Sequence, residues 1–327
     1  MRARAAIACG YGRPGVTHVS AREAYVAVRL GVTASAALAV PSALLYGVSD
    51  FSTGLSARSM RVVSATTVSY TLAAVVMLIS LAVTGGQWSP AAILWGAAAG
   101  AFAIIGLLAF YAAMAAGPMS IASPLIAVLE AVVPVAVALV LGDHLVWWAW
   151  LAIVAAIVAG VLLAADRSAA SVQISQKAVL LAIVSGSALG LSVVALNAAP
   201  KVGRLIPGVC ETLIGLVVLA AFTVTSRART KARATPRPPE SRIKGEPVRR
   251  QQGVLLAATG GLLLGGANAL LIAALHTGSL AIVGVLVSLY PVPTIVLARL
   301  ALNERLATLQ ITGATLALLA AAALALT

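Results

Sequence analysis

Charge is what this chain has least of. Only 9% of its 327 residues are Asp, Glu, Lys or Arg, where a soluble domain carries roughly a quarter. With 61% apolar residues and a mean hydropathy of +1.05, no aqueous surface can be built, which excludes a soluble globular protein. Cysteine is nearly absent: Cys9 and Cys210 make no disulfide framework. His18, His144 and His276 are scattered, with no H-E-x-x-H and no paired cysteines, so no metal site is expected. There is no P-loop and no G-x-S-x-G, which argues against an ATP-driven pump or an esterase. Gly10-Tyr11-Gly12-Arg13-Pro14-Gly15 fits G-x-G-x-x-G, but no strand precedes it and no dinucleotide-binding unit fits before the first apolar run. It is tail composition, and no cofactor is implied.

What the chain does have is long apolar runs. Bounded by charges, Gly/Pro turns or polar clusters, they fall near 30–55, 62–84, 90–115, 119–141, 145–165, 178–199, 205–226, 253–275, 279–301 and 306–326. Each matches the roughly 20 helical residues that a hydrocarbon core requires. The other spanning solution, a closed β-barrel, would show ten-residue alternating strands in place of continuous Ala/Leu/Val runs. The expectation is an all-α, polytopic membrane protein of ten transmembrane helices.

The second five segments repeat the first five. At an offset of 143, Ser42, Gly47 and Ser49 match Ser185, Gly190 and Ser192, and the basic pair Arg58 and Arg61 matches Lys201 and Arg204. At an offset of 161, Gly100, Ala112-Ala113, Gly117, Leu141 and Leu145 match Gly261, Ala273-Ala274, Gly278, Leu302 and Leu306. The offsets differ by 18 residues (161 − 143), so an insertion belongs between the seventh and eighth segments, where the only long polar stretch lies. The expected organisation is a basic tail at 1–29, a first five-helix repeat at 30–165 and a second at 178–326, interrupted by a basic linker at 227–252. Five helices is an odd number, so the second copy enters from the opposite face. Inverted repeats of this kind serve many secondary transporters. Gly96-x-x-x-Gly100, Gly186-x-x-x-Gly190 and Gly261-x-x-x-Gly265 each offer a groove for another helix.

Several stretches resemble one family. They are Leu45-Tyr46-Gly47-Val48-Ser49-Asp50-Phe51, Ala116-Gly117-Pro118-Met119-Ser120-Ile121-Ala122-Ser123-Pro124-Leu125, Ser288-Leu289-Tyr290-Pro291-Val292-Pro293-Thr294 and Leu302-Asn303-Glu304-Arg305-Leu306, followed by Gln310 and Gly313. Over about residues 40–326, in two copies, the chain resembles the EamA family of the drug/metabolite transporter superfamily. The resemblance implies a ten-helix carrier with both termini cytoplasmic and a central cavity shared by the repeats. One departure is visible, since the first repeat has Gly142-Asp143-His144 where the second has Asn303-Glu304-Arg305.

Polar residues within apolar segments are the candidate site. Glu130 sits near the middle of 119–141, where a charged carboxylate costs on the order of 3 kcal/mol. Such a residue faces a cavity, bonds to a neighbouring helix, or carries a proton as a coupled carrier requires. Its counterpart at offset 161 is Pro291, so the pocket is expected to be asymmetric. Asp50, eight residues before Arg58, fits a lining role or an interfacial salt bridge equally. Glu211, seven residues after Arg204, is most simply interfacial, and Arg299 is near enough to its segment end to snorkel. Tyr46, Trp95, Tyr111 and Tyr290 lie inside segments and are candidates to touch substrate, whereas Trp88, Trp147, Trp148 and Trp150 lie at ends, where aromatic belts form. Asn197 and Asn268 either bridge helices or touch ligand. Pro291 and Pro293 remove backbone donors and should kink the ninth segment beside Tyr290.

The tail holds Arg2, Arg4, Arg13, Arg22 and Arg29 against Glu23 alone, with no apolar core of its own, so it reads as a retained basic arm and not as a signal peptide. The stretch 227–250 carries nine Lys/Arg, two Glu and three of the chain's prolines before 240. It cannot build a core and reads as a flexible linker near anionic lipid. It lacks the interleaved aromatics of a nucleic-acid binder. Seven segments separate tail from linker, so basic charge alone would put the more basic linker in the cytoplasm and the tail outside; the family resemblance implies the reverse.

These readings converge on a secondary carrier in the cell membrane, moving a small metabolite or drug-like compound by alternating access, expected to export and to use protons. The lipid bilayer and a small-molecule substrate are the expected partners, and a homo-oligomer is compatible with the sequence. The rival is a non-transporting assembly partner or an intramembrane enzyme. An enzyme would need a convergent set of reactive groups, and one buried carboxylate without a nucleophile falls short.

Overall fold

The computed structural model describes residues 21–57, 59–116, 119–142, 147–164, 176–232, 250–302 and 308–325. Among these residues there are eleven α-helices and no strand. They are α1 Ala21–Ser56, α2 Val62–Thr84, α3 Pro90–Ala116, α4 Met119–Val140, α5 Trp147–Ala164, α6 Gln176–Ala198, α7 Ile206–Ala232, α8 Arg250–Thr277, α9 Leu280–Val287, α10 Pro291–Leu302 and α11 Thr308–Ala325. Six of the described helices are long and apolar enough to cross a membrane: Thr33–Ser56 within α1, then α2, Pro90–Phe110 within α3, α6, Ile206–Thr225 within α7, and α8. The apolar stretches Val128–Val140, Trp147–Ala159 and Leu280–Thr294 are shorter. The chain is a multi-pass helical membrane protein.

Helix boundaries depart from the sequence expectation in three places. The first helix begins at Ala21, ahead of the expected start at 30. Helix α7 runs on to Ala232 and α8 begins at Arg250, so both ends of the expected 227–252 linker are helical. Arg, Lys and Ala are good helix formers, and the first proline of that stretch, Pro236, comes only after α7 has ended. The ninth segment is two helices. After α9, Ser288–Tyr290 form turns in which Leu289 N–H bonds to Leu286 O (3.3 Å) and Tyr290 N–H to Val287 O (3.1 Å). Pro291, which has no N–H to give, then opens α10 at the position where proline is best tolerated.

The bundle is drawn together at its small residues. All three Gly-x-x-x-Gly grooves are occupied by another helix: a Cβ built on Gly96 or Gly100 would meet α7 at Pro207 and Glu211, one on Gly186 or Gly190 would meet α4 at Ile126 and Val133, and one on Gly261 or Gly265 would meet α2 at Ser69 and Ala73. Buried serines then bridge the touching backbones. Ser42 donates to Ala267 O (2.8 Å), Ser49 to Gly260 O (2.8 Å), Ser69 to Ala257 O (2.8 Å) and Ser185 to Gly106 O (2.9 Å). Close approach yields dispersion energy where lipid gives no hydrophobic drive, and each hydroxyl finds its acceptor across the same contact. Outward, Leu94, Val140, Trp147, Val217 and Leu300 are exposed, as a lipid-facing surface requires.

Candidate functional site

Where α1, α2, α3, α4, α6, α7, α8 and α9 converge they leave a cavity of about 190 Å³. Its polar wall comes from Tyr46 and Asp50 on α1, Tyr70 on α2, Glu130 on α4, Ser192 on α6, Glu211 and Thr212 on α7, Asn268 on α8, and Tyr290 at the α9–α10 break. Leucine and valine side chains fill the remainder of the wall. Three carboxylates therefore face one space, and among the described residues that line it there is no Lys, Arg or His.

Several of these polar groups are held by a neighbour on another helix. Tyr290 donates to Glu130 Oε2 at 3.4 Å. Ser192 donates to Glu211 Oε1 at 3.0 Å, while Glu211 Oε2 is buried and accepts no hydrogen bond. The Tyr46 hydroxyl donates to Asn268 Oδ1; Asn268 Nδ2 in turn approaches Thr212 Oγ1 at 3.4 Å, and Thr212 donates to Gly208 O at 2.7 Å. That chain ties α1, α8 and α7 across the cavity. The rings of Tyr46 and Tyr290 lie 6.4 Å apart at a tilt of 56°, within the range of favourable aromatic pairs.

Backbone geometry delivers these side chains. Gly47 lets α10 come so close to α1 that a Cβ there would meet Pro293 and lie 2.5 Å from Tyr290 O. Thr294 fastens the contact by donating to Gly47 O (3.0 Å) and Tyr290 O (3.2 Å). The helix break and the glycine opposite it thus bring Tyr290 beside Tyr46 and in reach of Glu130.

The two ends of the cavity differ. Asp50 is exposed and lies towards the Ser56 end of α1. One helical turn past the wall in the other direction, Met77, Val209, Ile272, Leu275 and Leu286 are almost wholly buried in a single apolar cluster. Beyond that cluster, Arg204 donates to Thr84 O at the end of α2, and Lys201 donates to His276 O near the end of α8 at 3.0 Å. Cations at helix C-termini satisfy carbonyls that have no intrahelical donor.

Of the residues singled out in the sequence, Glu130, Tyr46, Asp50, Asn268 and Tyr290 line this cavity. Trp95 does not; it is 40% exposed on the outer face of α3. Asn197 is half-buried at the end of α6 and is also outside the wall. The Tyr111 side chain, Arg58, Asp143, His144 and the segment Asn303-Glu304-Arg305 lie outside the described residues. Glu211, expected at an interface, faces the cavity instead, as do Tyr70, Ser192 and Thr212, which the sequence did not single out. For Ser192 the signal was the duplication. Ser192 is the offset-143 partner of Ser49, a residue in a quoted motif, and Glu211 and Thr212 follow the glycine-dependent contact of α7 with α3. Among the described residues no three His, Cys, Asp or Glu side chains converge to hold a metal ion.

The comparisons with known proteins bear on this arrangement of helices around a polar hollow. Residues 176–326 match the EamA-like transporter family. That family belongs to the drug/metabolite transporter superfamily, and the match lies in the second half of the chain. The matched family is one of transporters and not of enzymes, and it implies a small-molecule substrate. No curated protein matches the chain in sequence. Among solved structures 28 chains match. One, described only as the crystal structure of a protein, superposes with a TM-score of 0.66 at 16% identity, covering 88% of this chain and 95% of its own. That likeness is one of fold.

Proposed function

We propose that the protein is a secondary transporter of the EamA type, moving a small metabolite or drug-like compound across the cell membrane by alternating access. All ten apolar segments cross the bilayer in this reading, with α9 and α10 forming one broken span. The observation that carries it is the cavity, walled by helices of both halves, with a charged residue at one end and a buried apolar cluster at the other. In this reading exposed Asp50 marks the open end, and the apolar cluster around Met77 and Ile272 closes the other.

Paired contacts support an inverted repeat. The acceptor of Ser42 is Ala267 and the acceptor of Ser185 is Gly106; the donors are related by the offset of 143 and the acceptors by 161. Helix α1 packs on α8 as α6 packs on α3, and α2 packs on α8 as α7 does on α3. Glu130 is assigned to coupling or substrate recognition, with protons as the coupling ion and export as the direction. Both termini are placed in the cytoplasm.

Purified protein reconstituted in liposomes tests this. A pH gradient should drive uptake or efflux of a substrate found by comparing metabolite pools with and without the protein. Glu130→Gln should abolish the response to the gradient. Unchanged gradient-driven flux in that variant removes the coupling role, and an absence of flux for every compound tested removes the carrier.

A further inference from the structure

We propose that the cavity binds a small organic cation, an ammonium or guanidinium head on a compact apolar body, with the head held by Glu211 and Glu130 and the body against Tyr46 and Tyr290. This deepens the carrier reading and rests on it only for the transport step. Binding itself is a property of the site.

The donor and acceptor balance of the wall points this way. Asp50, Glu130 and Glu211 face the space with no described basic residue to neutralise any of them. Four hydroxyl donors of the wall are already engaged. Tyr290 is spent on Glu130, Ser192 on Glu211 Oε1, Tyr46 on Asn268 and Thr212 on Gly208. Glu211 Oε2 remains buried with no donor, and leaving such an atom unsatisfied is costly. The missing partner is therefore a donor, and one carrying positive charge gains most against the acidic wall. An anion would meet only repulsion there.

The class of cation follows from spacing and from the remaining wall. The carboxylates do not converge as metal ligands do, so a bare ion cannot draw on all of them, whereas an extended organic cation can bridge part of the gap. The rings of Tyr46 and Tyr290, with centroids 6.4 Å apart and a tilt of 56°, form an aromatic part of the wall against which a cation or its adjacent methylenes can lie. Leu107, Leu189 and Leu264 supply the apolar side. At about 190 Å³ the space is smaller than the roughly 300–1,000 Å³ of drug-sized pockets, which favours a small amine over a bulky drug.

The test is equilibrium binding to the purified full-length protein in detergent, using benzylamine, benzyl alcohol and benzoate, which share one ring and differ in charge. Benzylamine should bind at least about tenfold more tightly than either of the others. Glu211→Gln should weaken benzylamine by a similar factor and leave benzyl alcohol unchanged, and Glu211→Asp should restore most of the difference. If Glu211→Gln does not fold, the three-ligand comparison on the unmodified protein decides alone. Equal binding of the three, tighter binding of benzoate, binding of none, or displacement of benzylamine by sodium at equal concentration overturns the proposal. Flux of benzylamine in liposomes is a separate measurement. Benzylamine binding with no flux of any compound tested retains the cation site and removes the carrier, while flux of uncharged or anionic compounds without benzylamine binding does the opposite.

Discussion

Tyr290, at the break between α9 and α10, donates its hydroxyl to Glu130 Oε2 on α4 at 3.4 Å. The bond joins a helix of one half to a broken helix of the other, and it exists because Pro291 ends the regular ladder one residue later. Tyr290→Phe removes the donor and keeps the ring. Flux driven by a substrate gradient should then fall about three- to tenfold, the worth of a hydrogen bond to a charged or polar acceptor in a partly buried site. Initial rates in liposomes would check it, and rates equal to those of the unmodified protein would detach Tyr290 from the transport cycle.

The break itself depends on Gly47. A methyl group at this position would meet Pro293 and the Tyr290 carbonyl oxygen, so neither backbone has room to yield without separating α1 from α10. Gly47→Ala should cost about 1–3 kcal/mol, as overpacking does in close-packed interiors. Thermal unfolding in detergent would read this as a clear drop in midpoint. Gly54→Ala is the matched control, because nothing lies within 4 Å of a Cβ there, and its midpoint should not fall.

The places where the sequence was silent follow from the same geometry. That the chain is all-helical with long apolar helices was legible because a segment must bring its own apolar length to the bilayer, and the break beside Tyr290 was legible because proline has no N–H. Glu130, Asn268, Tyr46, Asp50 and Tyr290 stood out as polar side chains in apolar runs, and the cavity collects them. Trp95 stood out for the same reason yet lies on the outer face, since the sequence says that a residue is within a helix and not which side of the helix is covered. Glu211 was hidden by position. Six residues into α7 it looks close to the helix end, and only the contact of α7 with Gly96 and Gly100 turns it towards Ser192 and the cavity.

Ser42 and Ser185 make the sharpest test of the duplication. Each donates across a glycine- or alanine-rich contact to a carbonyl of the other half, at 2.8 and 2.9 Å. Replacing either with alanine should cost about 0.6–1.7 kcal/mol, the measured span for hydrogen bonds between membrane helices. Because the sites are far apart in the chain and share no partner, the double variant should lose the sum. A cost at one site and none at the other, measured by unfolding in detergent, would separate the two contacts and weaken the case for equivalent halves.

The turn before α7 closes one end of the bundle. Arg204, held at φ 48°, reaches the last carbonyl of α2, and Lys201 reaches the carbonyl of His276 in α8; between that turn and the cavity lies the cluster of Met77, Val209, Ile272, Leu275 and Leu286. Leu271, in the cavity wall and 3% exposed, sits on the cavity side of this plug. In a Cys9→Ala, Cys210→Ala background, Leu271→Cys should label slowly with a membrane-impermeant thiol reagent applied from the Lys201 side. Adding Lys201→Ala and Arg204→Ala frees the ends of α2 and α8 from their shared fastening, and labelling from that side should rise about three- to thirtyfold, matching two helix-end interactions of roughly 0.3–1 kcal/mol each. Labelling that stays unchanged would mean that the apolar cluster alone keeps this end shut, and the two basic side chains would then have no part in its opening.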